Sequence, residues 1–449
     1  FALQKRLSRL QRSFKGRTFG LVPRLLELHG FPRARLDELP AAMAAARAAI
    51  NRIDERAVAL LPDRERHFRL TERTPLLQGA LLQPLAELER CYLAVAEIVR
   101  DALDEAPEDL AQERSVFEAR LALRRLTETA EVAASFKNFD QDRETVFWLD
   151  KGKTSQGEIF VDAIASPLDI SAYMEEAVFT KFRSVICTSA TLAVGGTFDF
   201  WKGRTGLGRG FARERPGEGK AGPEISTAVY PSPFPYRTNA LLCVDSEAPL
   251  PDSPAWKEYV TGAIVELLGA SEGRALVLFT SYEVLKAAYD VAKPVMEARG
   301  IVCFRQGEDE RSRLLELFRT DISSVLFATD SFWEGVDAPG ETLSLVIITK
   351  LPFRVPTDPI QLARSEACEK RGGNAFMEIS LPEAVIRLKQ GFGRLIRHSE
   401  DRGAVAILDS RVVKKRYGGL FIESLPECRI VTGGLPEIGP AVHKFLFDW

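Results

Sequence analysis

The sequence predicts an α/β protein: a parallel β-sheet covered by helices, preceded by an all-helical region. From residue 238 onward, short apolar strand patterns alternate with amphipathic helical ones, as in strands joined by helical crossovers. Residues 1–142 instead place their apolar side chains at helical spacing. The 449 residues leave room for both, since a domain takes roughly 150 residues.

Leu3, Leu7, Leu10 and Phe14 share one face of a first helix, with Lys5, Arg6, Arg9 and Arg12 on the other side. Residues 1–50 hold ten basic and three acidic side chains, a local net charge of +7. That basic face is either solvated or a contact for phosphates. Further helices are predicted at 41–61, 84–106 and 108–137, with breaks near 31–33, 74–85 and 107. From Thr145 the pattern changes. Val146–Leu149 and Ile159–Val161 read as strands, 168–180 as a helix, and Ser184–Cys187 as a short buried strand. The Gly-, Arg- and Glu-rich stretch 203–225 reads as a loop. Strands are then predicted at 240–244, 274–280, 301–304, 324–328, 343–349 and 403–408. Helices are predicted at 254–269, 282–297, 309–319, 359–370 and 382–396. Sheets of this kind collect their ligands at the carboxyl ends of the strands.

An apolar content of 45% with 27% charged residues is that of a globular protein, which excludes collagen-like and disordered classes. Lys+Arg 60 against Asp+Glu 63 gives −3, so no overall polycation announces nucleic acid. The 43 arginines against 17 lysines suit phosphate but also fit a GC-rich coding sequence. The longest apolar runs, such as Leu345–Ile348, fall far short of the roughly 20 residues of a membrane span. Cys91, Cys187, Cys243, Cys303, Cys368 and Cys428 are dispersed. No zinc or iron–sulfur spacing is legible, and a reducing cytoplasm is expected. Residue 1 is Phe, so the chain is expected to be cut or processed at its front.

Three segments imitate ligand sites. Gly152-Lys153-Thr154 ends like a phosphate-binding loop, but residue 147 is Phe where that loop needs its first Gly, and a strand follows. Asp104-Glu105-Ala106-Pro107 ends an amphipathic helix rather than capping a buried strand. Gly206, Gly208 and Gly210 sit among charges with no strand before them. His29, His67, His398 and His443 form no metal or triad spacing, so no metal site is expected.

Four segments carry chemistry. In Gln390-Gly391-Phe392-Gly393-Arg394-Leu395-Ile396-Arg397, two arginines three residues apart fall on one face of the predicted helix, beside a Gln and two glycines. Such a group suits a γ-phosphate, where charge develops during transfer. Ser331-Phe332-Trp333-Glu334-Gly335-Val336-Asp337 places acidic and small residues past a strand end, where Trp333 alone would be core. Thr188-Ser189-Ala190-Thr191-Leu192 offers hydroxyls that relay between ligands or merely form a turn. Leu278-Phe279-Thr280-Ser281-Tyr282 ends a strand in hydroxyls at a helix start, a place for a nucleic-acid phosphate.

In this order the four resemble motifs VI, V, III and IV of superfamily 2 helicases, of the DinG/XPD branch. Ser232-Pro233-Phe234 and Lys350-Leu351-Pro352-Phe353 resemble further DinG signatures. The resemblance runs from about Val146 to Leu420. It implies a helical Arch-like domain over 1–142, the carboxyl-terminal part of a RecA-like motor domain 1 over 143–235, and motor domain 2 over 236–449. It implies an ATP-driven 5′–3′ enzyme on single-stranded DNA. The family's phosphate-binding loop, DEAH box and iron–sulfur cysteines are not found here. Mg²⁺ ligands and any cluster are therefore expected upstream, in a missing amino-terminal half of motor domain 1. The chain alone is expected to be inactive.

Carried over, Arg394 and Arg397 would contact the γ-phosphate and Gln390 would position it, with Gly393 beside it. Glu334, Gly335 and Asp337 would sit at the nucleotide. Ser189 and Thr191 would couple the motors, and Thr280, Ser281 and Tyr282 would lie near the DNA backbone. Two other readings compete: a non-hydrolysing nucleic-acid-binding or regulatory chain of the same fold, and an unrelated α/β enzyme for a small phosphorylated ligand.

Overall fold

The computed structural model describes residues 2–33, 35–61, 67–153, 157, 159–207, 225–329, 332–333, 342–354 and 357–448. The chain divides into two compact units, residues 1–169 with 356–364 and residues 170–355 with 365–449.

In the first unit, helices Leu39–Ala57, Gln83–Asp104 and Arg114–Ser135 enclose a core that includes Leu7, Met43, Tyr92, Val95 and Phe136. The first helix stops at Leu10 instead of running on to Phe14. Strands β1 (Arg12–Phe14) and β2 (Arg17–Phe19) follow as an antiparallel ribbon. Turn chemistry overrides the apolar spacing here. Lys15 (φ 49°) and Gly16 (φ 73°) both take left-handed backbone, the conformation that a two-residue hairpin turn needs. Gly20, at φ +127°, brings the ribbon back against the helix end, where a Cβ would lie 2.6 Å from the Leu10 carbonyl oxygen.

The break expected at 74–85 is also absent. Pro75–Leu77, a π-turn over Gln78–Leu82 and the Gln83–Asp104 helix follow one another directly. Pro84 has no N–H to donate, and the wider turn carries the chain to it, with the Gln83 N–H donating to the Gln78 carbonyl. Nor is the region wholly helical. β3 (His67–Arg69) joins β4 (Thr145–Lys153) and β5 (Ile159–Pro167) in an antiparallel sheet of order β3-β4-β5. Gly152 and Lys153 are therefore strand residues. Gly152 faces the Phe160 ring across the ladder, at a distance no Cβ would tolerate. Thr154 lies outside the described residues.

The second unit is built on seven parallel strands: β6 (Ala240–Asp245), β7 (Ala275–Leu278), β8 (Cys303–Arg305), β9 (Val325–Ala328), β10 (Leu345–Ile348), β11 (Gly403–Ile407) and β12 (Arg429–Gly433). Their order is β12-β6-β11-β10-β7-β9-β8, the helix-covered parallel sheet that the alternating pattern predicts and that the resemblance implies to be RecA-like. Strand periodicity sorts the side chains onto two faces. Leu276, Leu278, Leu326, Val346 and Ile348 pack with Leu388 and Phe392 of helix Leu381–Phe392. Val277, Val325, Phe327 and Ile347 pack on the other side with Ile264, Ala288 and Val442 from three further helices. β12 escaped the sequence pattern because it is a short, largely exposed edge strand.

Residues 171–179 are helical, as expected, whereas Ser184–Cys187 is not a buried strand. Among the described residues no strand pairs with it, and Ile186 is 92% exposed. A four-residue apolar run cannot bury itself; it needs neighbouring strands to supply a ladder and a covering layer. Most of the Gly-rich stretch, 208–224, lies outside the described residues. No described helix is long and apolar enough to cross a membrane.

Phe327 is fully buried, stacked on Phe279 at 6.1 Å and edge-on to Tyr289 at 5.4 Å. Phe327→Ala is expected to cost about 3–5 kcal/mol of unfolding free energy, measured by urea denaturation.

Candidate functional site

Because all seven strands run the same way, the loops after them open on one edge of the sheet. β7 leads through Phe279 to Thr280 and Ser281, and Tyr282 begins the helix Tyr282–Glu297, whose bounds match the sequence reading. Ser281 caps that helix in extended conformation, without a side-chain cap bond. The Tyr282 hydroxyl donates to the backbone carbonyl of Gln306 (3.2 Å), just past β8. The Gln306 side-chain oxygen accepts the N–H (2.7 Å) and the hydroxyl (2.9 Å) of Thr329, just past β9. One glutamine thus ties together the loops after three adjacent strands. Gly307, at φ +94°, leaves room for this, since a Cβ there would lie 2.8 Å from the Tyr282 hydroxyl. Sequence reasoning passed over Gln306; its only signal is a polar residue directly after a strand.

Of the Ser331–Asp337 segment, Phe332 and Trp333 are described and both are buried. Ser331, Glu334, Gly335 and Asp337 lie outside the described residues. Trp333 is core, as the sequence weighed it. Its ring approaches Gly391 so closely that a Cβ there would meet it at 2.9 Å.

Arg394 and Arg397 do not share a helix face, because the helix ends at Phe392. Two glycines among three residues weaken the last turn, and the chain tightens. The Arg394 N–H donates to Gly391 and the Leu395 N–H to Phe392, each a three-residue step. Buried Leu395 and Ile396 then anchor the segment. The position of each arginine comes from loop contacts. The Arg394 Nε donates to the carbonyls of Trp333 (3.1 Å) and Gln390 (3.2 Å), which joins this segment to the one after β9. The backbone N–H groups of Arg397 and His398 both donate to one carboxylate oxygen of Asp401, each at 2.7 Å. Asn239 in turn donates to the carbonyls of Ser399 and Asp401. Asp401 and Asn239 carry no motif signal and were not singled out.

Tyr236 was also missed, although it lies two residues beyond Ser232-Pro233-Phe234. Its ring lies 5.8 Å from that of Phe392. Burial pushes its phenol up, opposed by the positive charge of Arg397. Burial lowers the Lys389 ammonium, which donates to the Ala193 carbonyl at 2.9 Å. After β11, buried Asp409 receives Arg411 and the Leu351 N–H. Ser189 and Thr191 are not joined to this cluster by any hydrogen bond among the described residues. Their hydroxyls lie 3.1 Å apart, and the Thr191 N–H donates to Ser189, a local turn. No group of three or more His, Cys, Asp or Glu among the described residues could hold a metal.

Residues 264–428 match the helicase C-terminal domain family. Over 353 residues the chain is 36% identical to the Escherichia coli ATP-dependent DNA helicase YoaA, covering 78% of this chain and 49% of that protein. Over 312 residues it is 37% identical to the Mycobacterium tuberculosis ATP-dependent helicase DinG, covering 69% and 44% respectively. The Bacillus subtilis 3′-5′ exonuclease DinG is 35% identical over 296 residues, with 64% and 30% covered. A solved XPD helicase aligns with a TM-score of 0.47 at 13% identity, covering 86% of this chain and 64% of that one. The chain carries a helicase C-terminal domain and is homologous to DinG and YoaA helicases; it spans about half the length of the curated relatives it matches, or less.

Gly391→Ala is expected to push the Trp333 ring out of place and lower stability by about 1–3 kcal/mol. Trp333→Leu in the same chain should recover part of that loss, a coupling that a double-mutant thermal melt would measure.

Proposed function

We propose that this chain is the carboxyl-terminal part of an ATP-dependent 5′–3′ DNA helicase of the DinG/XPD type. In this reading, 1–142 is an Arch-like domain, 143–235 the end of motor domain 1, and 236–449 motor domain 2, acting in the cytoplasm on single-stranded DNA. The observation that carries it is the linkage at the carboxyl edge of the sheet, where Gln306 ties Tyr282 to Thr329 and Arg394 holds the Trp333 carbonyl. Because the Phe332 N–H donates to the Thr329 carbonyl at 2.9 Å, three of the four ordered motifs belong to one hydrogen-bonded unit, as a device coupling nucleotide to DNA requires. Exposed Ser184–Cys187 supports the second part of the reading, since an apolar run of this kind fits the edge of a sheet completed by another segment of motor domain 1.

The donor chemistry suits a nucleotide's terminal phosphate: the Arg394 guanidinium, oriented by its Nε on the Trp333 and Gln390 carbonyls, the Arg397 guanidinium on a backbone braced by Asp401, and the Gln390 carboxamide. When bound, ATP with Mg²⁺ supplies the phosphoryl group whose hydrolysis drives movement. Arg394 and Arg397 stabilise negative charge there, Gln390 orients, and Gly393 lets the chain turn close by. Glu334, Gly335 and Asp337, which lie outside the described residues, would act on the nucleotide by the motif resemblance alone. Thr280, Ser281 and Tyr282 hold the DNA backbone at the helix start, and Ser189 and Thr191 relay between motors. The Mg²⁺ ligands belong to the other part of motor domain 1, so the chain alone should not turn over ATP.

In the intact helicase, Arg397→Ala is expected to slow single-turnover ATP hydrolysis by about 10³–10⁵-fold, roughly 4–7 kcal/mol of transition-state stabilisation. DNA affinity and melting temperature should stay unchanged. Normal hydrolysis with weakened DNA binding would move Arg397 to the DNA track. DNA-stimulated hydrolysis by this chain alone would overturn the division of labour.

A further inference from the structure

The helical unit carries a basic groove that no motif accounts for. It encloses about 270 Å³ between the first helix, the Leu21–Leu26 helix and the Arg114–Ser135 helix. Its floor is apolar, from Leu10, Leu21, Ala122 and Leu126, and its rim carries Arg6, Arg9, Arg24 and Arg125. Among the described lining residues, Glu118 is the one acidic side chain. It already accepts Arg24 (2.5 Å) and Arg114 (3.0 Å), which hold its carboxyl below the usual range.

The β1–β2 ribbon adjoins this groove in the chain, since Gln11 alone separates it from the lining residue Leu10 and Gly20 alone separates it from the lining residue Leu21. Residues 11–20 contain Arg12, Lys15 and Arg17 and no acidic residue. Arg12 pairs with Phe19 across the ladder and Arg17 stands two residues before Phe19, so all three share one face of the ribbon. Phe19 is 43% exposed. On the groove's outer shoulder, Phe117 (67% exposed) and Leu121 (39% exposed) precede Arg125 at helical spacing.

Guanidinium groups around an apolar floor, continued by a ribbon with an aromatic between two arginines, match a polymer that alternates phosphates with flat apolar rings. We propose that this groove and ribbon form a second binding site for single-stranded nucleic acid, separate from the edge of the parallel sheet. The inference rests on the proposed reading that the protein works on single-stranded DNA. Arg9, Arg12, Arg17 and Arg125 take phosphates and Phe19 takes a base face, a combination that binds without sequence preference. An acidic polypeptide would use the same arginines but leave Phe19 without a stacking partner.

The test is titration of a fluorescein-labelled dT20 oligonucleotide into the full chain at several salt concentrations, with melting temperatures as a folding control. Each phosphate contact contributes a slope of about −0.7 in log affinity against log salt. Arg9→Ala with Arg125→Ala should therefore flatten the slope by about 1.4 and weaken binding about tenfold or more at 0.1 M salt. Phe19→Ala should weaken binding without changing the slope. Thr280→Ala with Ser281→Ala reports the sheet edge independently. If the groove variant matches the wild type while the sheet-edge variant weakens, the second site is refuted and the helicase reading stands. If the groove variant alone weakens, the second site stands and the sheet-edge DNA assignment falls. Absence of dT20 binding at low salt, or displacement of a labelled polyglutamate by groove mutations that leave dT20 binding intact, overturns the proposal.

Discussion

Seven strands running in one direction impose a single constraint on everything else in the second unit. All their carboxyl ends fall on one edge, so residues far apart in sequence meet there without any long-range instruction beyond strand order. The hydrophobic effect enforces that order. Side chains of alternating parity are buried on the two faces, and slipping any strand by one residue would turn its apolar set to the wrong cluster. The polar residues just beyond the strands are what this packing leaves over, and they are the ones that carry hydrogen bonds between loops.

Those bonds give the edge its coherence. Thr329 and Tyr282 never approach in sequence, yet both are held by Gln306, because β7, β9 and β8 are neighbours in the sheet. Arg394 extends the connection by holding the Trp333 carbonyl, and Trp333 fills the space that Gly391 leaves open. Short, directional contacts therefore join these loops into one contiguous network, the kind of connection that coupling between sites requires. The helical unit works on a different principle. Its core is closed by helix faces together with Phe147, Leu149 and Val161 of the β4–β5 ladder, and its exceptional features, the π-turn ahead of Pro84 and the β1–β2 ribbon, come from local backbone chemistry.

Residue pattern alone determined the alternation of strands and helices after residue 238, the helix beginning at Tyr282, the burial of Trp333 and the rejection of Gly152-Lys153 as a phosphate loop. Each of these depends on periodicity or on a neighbour within a few residues, which one-dimensional spacing records directly. The same spacing misled where local geometry prevailed: Phe14 continued an apolar period, but Lys15 and Gly16 turned the chain, and Arg394 and Arg397 kept helical spacing past a helix that two glycines had ended. Only tertiary structure decided that Gln306, Asp401, Asn239 and Tyr236 brace the motif residues, since each acts on a partner brought near by strand order or chain reversal. It also decided that Ser184–Cys187 stands exposed, because an apolar run becomes a buried strand only when other strands lie beside it.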